Sequence, residues 1–93
     1  MNIETILFKD SDCGNCKLVQ DELFNNPPKC NIKICHAKHE TSIELIKHYN
    51  INSFPTIILI DLDANKEVYR FVGLVDSEAI DNKIEEYESK HLV

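Results

Sequence analysis

Ninety-three residues, 43% of them hydrophobic and 28% charged, describe one globular domain spanning 1–93 and exclude a disordered chain. A net charge of −6 leaves no basic stripe to displace counterions from phosphates, so no nucleic-acid partner is expected. No apolar stretch approaches the ~20 residues that span a bilayer, and "MNIETILFKD" lacks the basic region, apolar core and cleavage site of a signal peptide. The expected location is therefore cytoplasmic, without membrane attachment. Permanent disulfides are rare there, which turns four cysteines toward redox work, metal binding or burial.

In chain order, "ETILFK" is a β-rich apolar run of strand length. "CKLVQDELF" places Cys16, Val19 and Leu23 on one helical face, and "NNPPK" ends that helix. "NIKIC" alternates Ile32 and Ile34 with Lys33 and Cys35, as a strand does. A second helix is expected from Thr41, where Thr41 and Glu44 have capping-box spacing, with Ile43, Ile46 and Tyr49 as its buried face. "TIILID" suits a strand covered on both sides, and "DLDAN" turns it into the partner strand "KEVYRFVG". Asp76 or Ser77 caps a last helix with Ile80, Ile84 and Tyr87 inward and Asp81, Glu85, Glu86 and Glu88 outward. The order β-α-β-α-β-β-α, with a right-handed first crossover, predicts an α/β fold. Its sheet is mixed and four-stranded, with helices on both faces.

The chemistry concentrates in "SDCGNCK", at the end of the first strand and the start of the first helix. A thiolate at Cys13 would meet unpaired N–H groups and the positive end of the helix dipole, conditions that favour ionisation. Lys9 and Lys17 would assist; Asp10 and Asp12 would oppose. Cys16, one turn on, lies within disulfide reach and is the more buried. On a redox reading Cys13 attacks and Cys16 resolves. The competing reading is a zinc module built from Cys13, Cys16, Cys30 and Cys35, with His36 and His39 as alternative ligands. Against it, the Cys30–Cys35 spacing is loose, Cys35 falls in a strand, and a core of this size needs no structural metal. Cys30 and Cys35 read as structural; His36, His39, His48 and His91 read as surface residues.

Three motifs in this order resemble the thioredoxin-like superfamily: "CGNCK", the "FPT" of Phe54-Pro55-Thr56, and the "FVG" that ends at Gly73. The resemblance covers nearly the whole chain but lacks the N-terminal strand and helix of full-length thioredoxins. It implies a thioredoxin-like fold in which "NIKIC" is an edge strand, one sheet face is thinly covered, and Lys33 discourages further pairing. It also implies a protein-disulfide reductase with Cys13 as nucleophile and Cys16 as resolving thiol. Pro55 would be cis, facing the dithiol, and Phe54 would offer its backbone to an extended substrate. Val72 and Gly73 would border the same groove, with Asp12 opposite, and Gly14, Asn15 and Lys17 would tune the pair. No bound cofactor and no metal is implied. The partners are disulfide-containing proteins and an electron donor, either a separate reductase or, as second choice, glutathione in a glutaredoxin-like mode. The working form is expected to be a monomer. The chain departs from thioredoxins at Asn15 (for proline), Asp12 (for tryptophan) and Leu7 (for a buried aspartate). An extra N–H donor at Asn15 predicts a more oxidising couple than proline would give.

Overall fold

The computed structural model of the chain describes residues 2–91, except the side chain of His91. Its elements are β1 (Ile3–Lys9), α1 (Gly14–Asn25), β2 (Asn31–His36), α2 (Glu40–His48), β3 (Thr56–Asp61), β4 (Lys66–Val72) and α3 (Ser77–His91). The sheet runs β2-β1-β3-β4, with β1 and β2 parallel and the pairs β1·β3 and β3·β4 antiparallel. This is the mixed four-stranded sheet that the element order predicts, and β2 is one of its edges.

The apolar patterning sorts into two cores. Ile3, Leu7, Ile57 and Leu59 pack on one face with Val19 and Leu23 of α1 and Ile80 and Ile84 of α3. On the other, Ile6, Phe8, Cys35, Ile58 and Ile60 pack with Leu45, Ile46 and Tyr49. That second face is covered by a single helix, α2 of nine residues, together with Ile51 and Phe54 of the segment that follows it. All six residues of β3 are buried, as its unbroken apolar run requires of a strand covered on both sides.

α2 departs from the sequence expectation at its start. His39 is the N-cap and makes no side-chain cap bond, so the Thr41–Glu44 capping box does not form. A turn in which Ser42 N–H donates to His39 C=O (3.0 Å) starts the helix earlier, and Glu40 stands in its positive first turn. The inward face is Ser42, Leu45, Ile46 and Tyr49, leaving Ile43 at 44% exposure. At the start of α3, Asp76 is the cap: its Oδ1 accepts from Ala79 N–H at 2.8 Å. Asp81 is less solvated than expected, because it accepts from Lys29 N–H at 2.8 Å.

Two polar contacts fasten helices to the hairpin. Arg70 of β4 donates from Nη2 to Tyr49 C=O (2.5 Å) and from Nη1 to Asn50 C=O (3.4 Å), the carbonyls left over at the end of α2. Its other donors engage Glu67, Nε at 2.9 Å and Nη2 at 2.8 Å. Arg70→Met should therefore lower stability by about 1–2 kcal/mol, and Glu67→Gln by less than about 1 kcal/mol, both read by urea denaturation.

At the far end of β3, the Asp61 carboxylate accepts from Asp63 N–H (3.0 Å), Ala64 N–H (3.2 Å) and the Tyr87 hydroxyl (2.7 Å). The Tyr87 bond, foremost, holds this carboxyl below its ordinary value of 3.8. A depressed folded value means the stabilisation is full above the unfolded value and disappears as pH falls through the folded one. Denaturation midpoints should accordingly fall more steeply below about pH 4 in the wild type than in Asp61→Asn. Parallel curves would remove Asp61 as the source.

Candidate functional site

Sheet register assembles the site from three distant segments. Lys9 ends β1, and the chain turns at once into α1 with Cys13 at its N-cap. Thr56 opens β3 opposite both Phe8 and Val72, so the residues before Thr56 and after Val72 meet at this same edge. Gly73 N–H donates to Pro55 C=O at 2.9 Å, with Gly73 at φ +92°, a backbone region open to glycine. The Phe54–Pro55 bond is cis, and Pro55 is buried.

Cys13 and Cys16 are joined as a disulfide with Cα atoms 5.2 Å apart. Cys13 has extended backbone angles (φ −123°, ψ 102°), and its sulfur takes the place of a capping oxygen, accepting from Cys16 N–H at 3.1 Å. The sulfur also lies 3.5 Å from Phe54 C=O. Cys16 is 1% exposed, whereas Cys13 is half-buried, so the first cysteine is the one a second molecule reaches.

The donor to the sulfur differs from the sequence expectation. It is the N–H of Cys16, at the third helical position, where an N-cap side chain reaches; Asn15 makes no hydrogen bond to Cys13. Gly14, Asn15, Lys17 and Asp12 are all exposed, and the side chains of Asp12, Asn15 and Lys17 form no hydrogen bond or salt bridge among the described residues. Lys17 nonetheless lines a depression of about 420 Å³ that both cysteines border. Val72 is 65% exposed on the rim.

The same depression holds residues that periodicity did not single out together: Lys9, Ser11, Gln20 and His36. Lys9 Nζ donates to Gln20 Oε1, and His36 Nδ1 accepts from Lys38 N–H at 3.2 Å while Nε2 lies 3.3 Å from Ser11 Oγ. One signal was present in the sequence, since Gln20 stands four residues after Cys16 on the same helical face.

The four cysteines do not converge. Cys30 packs against the α1/α3 core, its sulfur 2.6 Å from Thr5 Oγ1, while Cys35 belongs to the α2 core. Burial pushes both thiols up, against an opposing hydrogen bond from Thr5 in the first case and Ser42 in the second. Among the described residues, no three His, Cys, Asp or Glu side chains are grouped to hold a metal ion.

The thioredoxin-like domain family matches residues 5–88, so the chain belongs to it. Similar solved structures include an uncharacterised thioredoxin-like protein from Clostridium perfringens, 24% identical, covering 91% of this chain and 70% of that one with a TM-score of 0.72. Oxidised thioredoxin O2 from Arabidopsis thaliana is 20% identical, with coverages of 91% and 74% and a TM-score of 0.69. Thioredoxin-2 of the malaria parasite protein secretion machinery is 18% identical, with coverages of 91% and 82% and a TM-score of 0.74. At these identities the likeness is one of fold. No curated protein is significantly similar in sequence. Fold and cysteine pair together support thiol–disulfide oxidoreductase chemistry in general. Among the described residues, no helix is long and apolar enough to cross a membrane.

Position 15 is testable in two halves. Asn15→Ala keeps the N–H and removes a side chain with no partner, so the reduction potential should stay within ~10 mV. Asn15→Pro deletes an N–H from the positive helix end and should make the couple less oxidising, because a thiolate loses part of its stabilisation. Equilibration of each variant against glutathione buffers measures both.

Proposed function

We propose that the chain is a protein-disulfide reductase of thioredoxin type. The observation that carries this reading is the Cys16 N–H···Cys13 Sγ bond of 3.1 Å at a helix N-cap. Donors fixed there favour a sulfur anion over a neutral thiol, and the thiolate is the attacking species. In the reduced protein, the Cys13 thiolate attacks one sulfur of a substrate disulfide and expels the other as a thiolate. Cys16 then attacks Cys13, releases the second substrate sulfur and leaves the Cys13–Cys16 disulfide. Two electrons pass to the substrate, and a separate reductase or glutathione returns them to the protein.

The edge beside Cys13 supports an extended polypeptide as substrate. Pro55 C=O is already used by Gly73, whereas among the described residues Phe54 pairs with no other backbone group, its C=O facing only the Cys13 sulfur, and it remains available for strand addition. Leu18 (59% exposed), Val72 (65%) and Leu74 (62%) supply apolar surface to a protein partner rather than to a small ion.

Cys16→Ser should accumulate mixed disulfides through Cys13, and Cys13→Ser should trap nothing and fall to background in insulin reduction. Cys30→Ser and Cys35→Ser should each keep near wild-type turnover. Insulin reduction surviving in Cys13→Ser would sink the assignment; activity lost in Cys30→Ser together with stoichiometric bound zinc would replace it with a metal site.

A further inference from the structure

We propose that Lys9 is a positioning residue for the second step, its ammonium group promoting ionisation of the resolving thiol of Cys16. This rests on the exchange reading above. A thiol at 1% exposure is a poor acid unless something offsets its desolvation. The backbone N–H of Cys16 is already committed to Cys13, so that donor serves the first sulfur and not the second.

The depression that both cysteines border is where a cation reaches Cys16. Lys9 leaves the last position of β1 half-buried, and Gln20 Oε1 receives its Nζ. Gln20 is one helical turn from Cys16, and side chains four apart on a helix are neighbours, with Cβ atoms about 5–6 Å apart. The ammonium is therefore tethered within the depression that Cys16 borders. Among the described residues Lys9 has no salt bridge, so its charge is not spent on a carboxylate.

The other charged or titratable groups facing this space are Asp10, Lys17, Asp21 and His36, with Asp12 nearby on the loop. Asp10 is turned to its own loop, accepting from Ser11 N–H at 2.7 Å. Lys17 and Asp21 are exposed on α1, more than a quarter-turn around from Cys16. His36 accepts at Nδ1 from Lys38 N–H, which leaves Nε2 as the donor toward Ser11 in the neutral ring. In that tautomer it offers Cys16 no base. The Cys16 proton passes to solvent, the thiolate attacks Cys13 Sγ, and the substrate sulfur leaves with the bonding pair.

An aromatic disulfide reagent, dithionitrobenzoate, separates the steps. Supplied at one equivalent to the fully reduced protein, it releases one nitrothiobenzoate as Cys13 is modified and a second as Cys16 displaces the first adduct. In Lys9→Met the first phase should be little changed. The second should have its pH midpoint raised by about one unit. Tenfold less thiolate, offset by about threefold greater nucleophilicity per thiolate, makes it about threefold slower at neutral pH and about threefold faster on the high-pH plateau. Lys9→Arg should restore the wild-type midpoint. A second phase slowed by one factor at every pH, or a midpoint unmoved in Lys9→Met, would reduce Lys9 to a structural part and overturn the proposal. Absence of the second release from the wild type would instead remove the exchange reading beneath it, and this inference with it.

Discussion

Everything in this fold is referred to β3, a six-residue strand that must be hidden on both sides. Ile57 and Leu59 enter one core, Ile58 and Ile60 the other. Each fully buried aliphatic side chain contributes about 1.5–3 kcal/mol, against a total stability of about 5–15 kcal/mol for a domain. Register on either side of β3 is thus not free to slip, since a one-residue shift would send an apolar set to the wrong face. Because Thr56 is paired with both Phe8 and Val72, the same constraint delivers Phe54, Pro55 and Gly73 to the edge where α1 begins.

At that edge a single helix start performs two tasks. Its N-cap position holds a cysteine where serine, threonine or aspartate would ordinarily sit, and the amide three residues on satisfies the sulfur. That amide belongs to the second cysteine. The contact that orders the helix is therefore also the contact that orients the pair, and the 3.6-residue turn sets which sulfur is reachable and which is covered. Stability and chemistry share one hydrogen bond here, so substitutions at either cysteine act on both.

Much of this was legible in the chain. Strand periodicity, the unbroken "TIILID" and the Cys13/Cys16 placement are short-range signals, and burial enforces them. The start of α2 is not legible, because Thr41 and Glu44 satisfy a local capping rule while a turn closed by His39 C=O starts the helix earlier. Ile43 faces outward because the stripe of Ser42, Leu45, Ile46 and Tyr49 packs on the sheet, a choice between adjacent faces that local periodicity leaves open. The N–H that bonds the Cys13 sulfur is that of Cys16 rather than Asn15, a distinction of one helical position that composition does not encode. The grip of Arg70 on Tyr49 and Asn50 links residues 21 and 20 apart, and that of Lys9 on Gln20 residues 11 apart, through long side chains. Such pairs leave no periodic trace; they appear only once sheet register has brought the elements together.

The coverage of the second sheet face by one short helix and the segment after it has a kinetic corollary. Regions with few buried contacts open at lower free energy than the rest of a domain, and α2 buries only Ser42 completely while its apolar side chains stay partly exposed. Beneath it lies Cys35, 3% exposed and tied to Ser42. A third thiol is thereby shielded on one side by a short helix and the residues packed with it. The labelling rate of Cys35 by an alkylating reagent is then a direct clock for the opening of that face.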